Sequence, residues 1–294
     1  MSPELSVVVA SVNGFPYLGR CLESLEQTAP WVEVVVADWT DAETRARVRD
    51  RWPDVRLLSF DEPASVPELR AAGIAVAQGD AVALIEDHVT VRAGWADGMR
   101  ALQRAGREVV GGPIANAVAR RIRDRAAFYC EYNGFLEPVA EGPAPDLPGM
   151  NVSYDRNAIA AMQDLLDEGR WETHLHPRLR ERGFAFWIDP ALTIDHAKDF
   201  GFREFVSQRY HYARSYAGER RAGLGARRFV YAAGTALLPF VLFRRIAGNV
   251  RRSSESRRAF ATAAPLVILY LLVWAFGETV GYLFGGGRSL LRIR

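Results

Sequence analysis

The first ninety residues alternate short β-branched runs with amphipathic stretches, and this alternation restricts the fold more than any other feature of the chain. Leu5–Ala10, Val32–Ala37, Val55–Phe60 and Ala81–Ile85 are predicted strands. Tyr17–Thr28, Ala42–Arg51 and Pro67–Gln78, the last closed by Gly79, are predicted helices. Strands that are apolar throughout must be covered on both faces, which means a mostly parallel sheet between helices. Strand–helix–strand repeats of this length give an α/β fold of Rossmann-like type. In such sheets ligands lie beyond the carboxyl ends of the strands. That rule selects Ser11 and Asn13 after the first strand, Asp38 after the second, and Glu86-Asp87-His88 after the fourth.

The middle of the chain is less regular. Ala119–Tyr132 is predicted to be helical, and Gly134–Pro148, with prolines at 138, 143, 145 and 148, is a loop. A strand over Gly149–Tyr154 and a helix over Asn157–Glu168 follow, then short strands at Phe184–Ile188 and Ala191–Ile194. Phe202–Ala222 has the pattern of one amphipathic helix rich in Arg and Tyr.

Composition then changes. Phe229–Phe243 is apolar, contains Pro239, and is flanked by Arg227-Arg228 and Arg244-Arg245. Ala259–Phe284 is a longer apolar run interrupted by Glu278. The second run reaches the ~20 residues that a bilayer span requires, whereas the first can span, re-enter or lie at the interface. A buried hairpin of a soluble domain is the alternative, but Pro265–Phe276 offers no polar face for it. If both runs spanned, the loop carrying Arg244, Arg245, Arg251, Arg252, Arg257 and Arg258 would lie outside, against the positive-inside rule. A first segment lying in or dipping into the cytoplasmic leaflet avoids that conflict. The expected organisation is therefore residues 1–222 as a soluble domain and 223–294 as a membrane-associated helical tail.

Charge supports that division. The formal net charge is only +2, but arginines crowd the C-terminal third and Lys198 is the only lysine. Basic residues that flank apolar runs suit anionic headgroups or a phosphorylated ligand better than nucleic acid, which is not expected as a partner. Cys21 and Cys130 fit no metal spacing and read as small buried residues of a reducing compartment. Met1-Ser2-Pro3-Glu4 has no basic n-region, so residues 1–222 are expected on the cytoplasmic side, at the inner face of the cell membrane.

Two carboxylates and an imidazole at the end of a buried strand are costly unless something offsets them. A divalent cation carrying a diphosphate would do so; oxygen ligands suit Mg²⁺ or Mn²⁺, and imidazole favours Mn²⁺. A solvated turn capping the next helix is the competing explanation. Asp38 can accept hydrogen bonds from a uracil N–H or from ribose hydroxyls, or cap the helix from Ala42, although Thr40 and Asp41 are better placed for capping. Arg70 can pair with a phosphate or brace the acidic turn. A dinucleotide-dependent oxidoreductase would carry a glycine-rich turn after the first strand, and Ser11-Val12-Asn13-Gly14-Phe15-Pro16 has one glycine. A nucleotidyltransferase would carry a glycine- and Lys/Arg-rich phosphate loop there, which is also missing.

Arg70, Gly73 and Ala77-Gln78-Gly79-Asp80, followed by an apolar strand, the acidic turn and Trp95, form a pattern that resembles the family-two glycosyltransferases of the GT-A fold. Leu5–Asn13 and Val34–Asp38 resemble that family's first two strands, and the likeness extends over roughly residues 4–220. The resemblance implies a GT-A fold followed by C-terminal membrane helices, and an enzyme that moves a hexose from a UDP- or GDP-sugar, with inversion. It implies a divalent cation (Mn²⁺ or Mg²⁺) and, from the tail, a lipid-linked or envelope glycan acceptor. Nucleotide-sugar contacts would come from Ser11, Asn13, Asp38, Arg70, Glu86, Asp87 and Arg214. Asp87, His88 and His196 would hold the metal, with Asp195 behind His196.

Leu147–Tyr154 resembles the family's Gly-x-Asn segment, placing Asn151 on the acceptor side with Trp171. Trp171-Glu172-Thr173 stands where the family carries its acid–base motif, so Glu172 would be the general base, its pKa raised by Trp171. Gln208–Arg214 resembles the family's Gln-x-x-Arg region. Two departures stand out. His88 replaces the last aspartate of the family's Asp-x-Asp turn, leaving the metal to Asp87, His88 or both, and Thr173 replaces the second acid of a Glu-Asp pair. They keep open a catalytically inert GT-A-like membrane scaffold or nucleotide-binding module.

Overall fold

The computed structural model describes residues 3–118, 120–255 and 257–293, which pack as two compact units. The first comprises Met1–Ala117 and Glu137–Lys198, and the second comprises Val118–Leu136 and Asp199–Arg294.

In the first unit, β1 (Leu5–Ser11), β2 (Glu33–Asp38), β3 (Arg56–Ser59) and β4 (Ala81–Glu86) pair in parallel, with β1 between β2 and β4. Helices α1 (Tyr17–Thr28), α2 (Ala42–Arg51) and α3 (Val66–Val76) make the crossovers. Every residue of β1 is buried, as the unbroken apolar run predicts for a central strand. Gly73 brings α3 close to the sheet; a Cβ there would collide with Val8. Ser65 and Glu68 form a capping box that fixes where α3 begins.

After β4 come β5 (Val89–Val91), α4 (Trp95–Arg104), β6 (Val109–Gly111), β7 (Ile114–Asn116) and α5 (Ile122–Tyr132). The helix expected from Ala119 starts at Ile122, and Ala119 itself lies outside the described residues. The chain continues through β8 (Gly142–Pro143), β9 (Val152–Asp155), α6 (Arg156–Ala161), α7 (Gln163–Asp167), α8 (Glu172–Glu181), β10 (Phe186–Ile188) and β11 (Ile194–His196). The main sheet has eight strands in the order β3-β2-β1-β4-β9-β6-β10-β8, with β9 antiparallel to both neighbours. A second, three-stranded sheet runs β5-β11-β7. The mostly parallel sheet covered by helices is as the hydrophobic pattern requires. The strand expected at Ala191–Ile194 begins at Ile194, because Pro190–Leu192 forms a 3₁₀ turn capped by Asp189.

The second unit is helical. It contains α5, α9 (Phe202–Arg221), α10 (Arg228–Gly234), α11 (Leu238–Arg252) and α12 (Arg257–Phe284). Helix α9, expected within residues 1–222, thus packs with the C-terminal helices. Pro239 does not interrupt the preceding run, since it sits in the first turn of α11, where its missing N–H is not required. Gly225–Arg252 and Arg257–Phe284 are each 28 residues long and apolar enough, by length and composition, to cross a membrane.

Candidate active site

Register places the candidate residues in a row. Ser11 pairs with Asp38 across β1 and β2, and Ala10 pairs with Glu86 across β1 and β4. The carboxyl edge of the sheet therefore presents Ser11, Asp38 and Glu86 side by side.

Asp38 is fully buried and held by the protein. It accepts hydrogen bonds from Ser11 Oγ at 2.8 Å, Thr40 Oγ1 at 2.8 Å and Arg45 Nε at 3.0 Å. Asp41, not Asp38, caps α2, accepting from the Thr44 N–H at 2.7 Å. Arg45 goes on to Asp61 and the Phe60 carbonyl, joining the ends of β2 and β3. Neither Thr40 nor Arg45 was foreseen here. An arginine one helical turn inside α2 is the only sequence signal that could have suggested the second.

Asp87 is the hub of the turn. Its Oδ2 accepts from the backbone N–H groups of Val12 at 2.9 Å and Asn13 at 2.6 Å; its Oδ1 accepts from Asn13 Nδ2 at 2.7 Å and lies 3.2 Å from His88 Nδ1. The Gly14 N–H also reaches Oδ2, at 3.3 Å. These five contacts use the lone-pair sites of a carboxylate. Desolvation pushes its pKa up, but the hydrogen bonds and neighbouring charge prevail and hold it below the usual range. Asp87 thus wraps the β1–α1 loop around itself and orients His88.

His88 presents its other nitrogen, Nε2, 3.5 Å from Glu86 Oε2, buried and without a hydrogen bond. His196 lies edge-on to His88, with ring centroids 4.9 Å apart. The small sheet makes this meeting: His196 of β11 pairs with Val89 of β5, and the Ala197 N–H donates to the His88 carbonyl at 2.9 Å. Burial lowers the pKa of His196 well below its ordinary value, so its imidazole is neutral. Asp195, expected behind His196, instead pairs with Arg92. Among the described residues no three His, Cys, Asp or Glu side chains already stand at metal-binding spacing.

Arg70 joins this turn to Glu172. The guanidinium is buried, donates to Glu86 Oε1 at 2.6 Å, is ion-paired with Glu172, and stands over the Trp171 ring at 5.7 Å. Glu172 opens α8, with Trp171 as its N-cap. Gly149 makes room for it, since a Cβ at that position would fall on the Glu172 carboxylate. Nothing in the residue pattern pairs Gly149 with Glu172; only the folded chain does.

Asn151, expected on the acceptor side, is fully buried with both ends of its amide engaged. Its Nδ2 donates to the Pro113 and Leu192 carbonyls and its Oδ1 accepts from Trp95 Nε1 at 2.9 Å. It fastens three segments behind the site. Arg214 belongs to the second unit, where its Nε donates at 3.1 Å to the Gly285 carbonyl just past α12.

Comparison with known proteins identifies the family and the fold. The family model described as glycosyl transferase family 2 matches residues 6–160. No curated protein sequence matches the chain. Among solved structures, a mannosyltransferase from Pyrobaculum calidifontis, PcManGT, in complex with GDP-Man and Mn²⁺, is 17% identical with a TM-score of 0.57, over 95% of this chain and 87% of that one. GalNAc-T7 with UDP, GalNAc and Mn²⁺ is 13% identical with a TM-score of 0.51, over 66% of this chain and 44% of that one. TarS from S. aureus, 12% identical with a TM-score of 0.50, is matched over 74% of its length and 96% of this chain. At these identities the likeness is one of fold.

Proposed function

The chain belongs to glycosyl transferase family 2, and from that premise we propose that this glycosyltransferase uses a UDP- or GDP-sugar and Glu172 as its general base. The supporting observation is that one buried guanidinium, Arg70, joins Glu172 to Glu86 at the carboxyl end of β4. The expected base and the donor turn are thereby held together in one unit. In the proposed reaction Glu172 takes the proton of the acceptor hydroxyl as its oxygen attacks the anomeric carbon. The bond from that carbon to the diphosphate breaks, the diphosphate leaves with the electron pair, and the configuration inverts. Ser11 and Asp38 at the end of β1 and β2 are assigned to the nucleoside, Asn13 and the β1–α1 loop to its phosphates. Arg70 positions Glu172 and balances its charge.

A divalent cation fits the residues present. The buried Nε2 of His88 lacks a hydrogen bond, and Asp87 behind Nδ1 fixes the tautomer that exposes it. Glu86, His88 and His196 are the proposed ligands, with Asp87 orienting His88, because the lone pairs of Asp87 are already taken. The cation would neutralise the diphosphate as it departs. The structural neighbours in complex with GDP-Man or UDP and Mn²⁺ support this choice of ligand class. The apolar tail supports a lipid-linked or envelope acceptor at the cytoplasmic face.

The test is nucleotide release from a panel of UDP- and GDP-sugars with Mn²⁺. Glu172→Gln should cut turnover by about 10²–10⁴-fold while leaving nucleotide binding in place. Turnover by that variant within about threefold of wild type would remove Glu172 from the base role, since a positioned base contributes far more.

A further inference from the structure

Helix α12 is long and apolar enough to cross a bilayer, but inside the second unit it is not free to do so. Along its C-terminal half it lies against α9: the rings of Phe205 and Tyr270 are 4.6 Å apart, Arg209 stands 4.1 Å over Trp274, and Arg220 donates to Tyr282 Oη at 3.0 Å. The packing is backbone-close, because a Cβ on Gly277 or Gly281 would press on the carbonyls of Tyr210 and Arg214. Along its N-terminal half it meets α5, with the Tyr129 and Phe260 rings 5.4 Å apart.

Neither partner belongs in hydrocarbon. Helix α9 carries Arg203, Glu204, Arg209, Glu219 and Arg220, and α5 carries Arg123 and Arg125. Each charge at the bilayer centre costs at least about 2.5–3.5 kcal/mol. With residues from Tyr270 onward held on α9, the thirteen residues from Arg257 to Leu269 remain. They rise roughly 20 Å, against a core of about 30 Å.

The other face of the same hairpin is apolar and exposed. Ile268, Leu269, Leu272 and Phe276 form a stripe on α12, and Val230, Leu237, Phe240 and Val241 project from the preceding helices, Val230 with 73% and Phe276 with 63% of its surface exposed. The two arms pack antiparallel: Thr235 and Thr279 hydroxyls are 2.6 Å apart, and Phe243 stacks on Phe260 at 5.8 Å. Arg227, Arg244, Arg251, Arg252, Arg257 and Arg258, all exposed, flank these apolar residues.

We propose that residues 225–284 form a monotopic anchor that embeds its apolar face in one leaflet of an anionic bilayer and crosses it nowhere. This geometry keeps Arg244, Arg245, Arg251, Arg252, Arg257 and Arg258 in the headgroup layer, where each is attracted to acidic lipid, and leaves α5 and α9 in water. It rests on the membrane-associated reading of the tail and replaces a spanning second segment with an in-plane one.

The test uses the full chain, with epitope tags at the N-terminus, at Ser254 and at the C-terminus, in right-side-out and inverted vesicles. All three tags should be cleaved from the same side. A Ser254 tag alone on the opposite face would mean that both arms cross, and a C-terminal tag alone on the opposite face that α12 crosses; either overturns the proposal. In a second arm, purified chain is mixed with liposomes of phosphatidylglycerol and phosphatidylcholine or of phosphatidylcholine alone. Binding should favour the anionic mixture and fall by about tenfold or more in Arg244→Glu/Arg245→Glu. Equal binding to both lipids, unchanged by the double variant, would overturn the charge-based docking. Failure of the wild type to bind either would overturn the membrane reading itself and leave the assignment of Glu172 untouched.

Discussion

Glu172 lies in a slot shaped by its neighbours. Gly149 leaves the space, and Arg70, standing over the Trp171 ring, holds one carboxylate oxygen. Gly149→Ala should displace the carboxylate and lower kcat by about a hundredfold with little change in nucleotide binding, as expected when a reacting group shifts by ~1 Å. Steady-state kinetics with isothermal titration of the nucleotide checks this, and an unchanged kcat would remove Gly149 from the positioning role. The two thiols make an opposite kind of prediction. Burial pushes Cys21 far up and Cys130 up to about 12. At neutral pH neither has an appreciable thiolate fraction, so both should resist a thiol reagent in the native protein and react on denaturation. Rapid labelling of either in the folded chain would contradict the burial of both thiols. At this scale the type of each candidate was legible in the sequence, but its partner was not. Asp38 and Asp87 stood out as carboxylates after strands; that Ser11, Thr40 and Arg45 engage one while the β1–α1 loop wraps the other depends on backbone geometry that residue spacing does not encode.

Elements hold the site by a few polar braces. Buried Tyr154 on β9 and His176 on α8 form a relay with Asp146 in the preceding loop, which is exposed, with Oη–Nε2 at 2.6 Å and Nδ1–Oδ1 at 2.5 Å. The sequence offered no reason to separate His176 from a bystander, since a histidine inside a helix carries no positional signal. It docks the first turns of α8, and with them Glu172, on the sheet. His176→Ala would strand the buried Tyr154 hydroxyl, costing about 1–3 kcal/mol. The urea midpoint should fall accordingly, and Tyr154→Phe in that background should recover part of the loss. No fall in midpoint would show that the relay does not bear on stability. Element type was legible wherever a run was long and strongly patterned, as in β1, β4, α1 and α12. Boundaries were less so. The helix expected over Asn157–Glu168 divides into α6 and α7 at Met162, and the strand expected at Ala191 waits for Ile194 because Asp189 and Pro190 favour a turn.

At the scale of the whole molecule, the grouping of helices matters more than their number. Residues 118–136 and 199–294 form one unit, so a chain ended at residue 222 would leave α5 and α9 without the helix that covers Phe205, Tyr129 and Arg209. Such a truncation is expected to aggregate or remain insoluble without detergent, whereas the full chain should be recoverable with lipid or detergent. Size-exclusion chromatography of both checks this; a monodisperse, folded 1–222 fragment would show that the composition change near residue 223 is a true boundary.

Hydrophobic periodicity by itself determined the parallel sheet, the carboxyl-end row of Ser11, Asp38 and Glu86-Asp87-His88, and two apolar C-terminal helices. These follow from local pattern, because a buried strand and a long apolar helix each announce their environment residue by residue. Tertiary structure alone decided that His196 meets His88, that Arg70 bridges Glu86 and Glu172, that Asn151 is a fastener, and that α12 lies against two charged helices. Each of these is a contact between segments far apart in the chain. Such contacts are set by strand register and close helix packing, through Val89 opposite His196 and through Gly277 and Gly281 against α9.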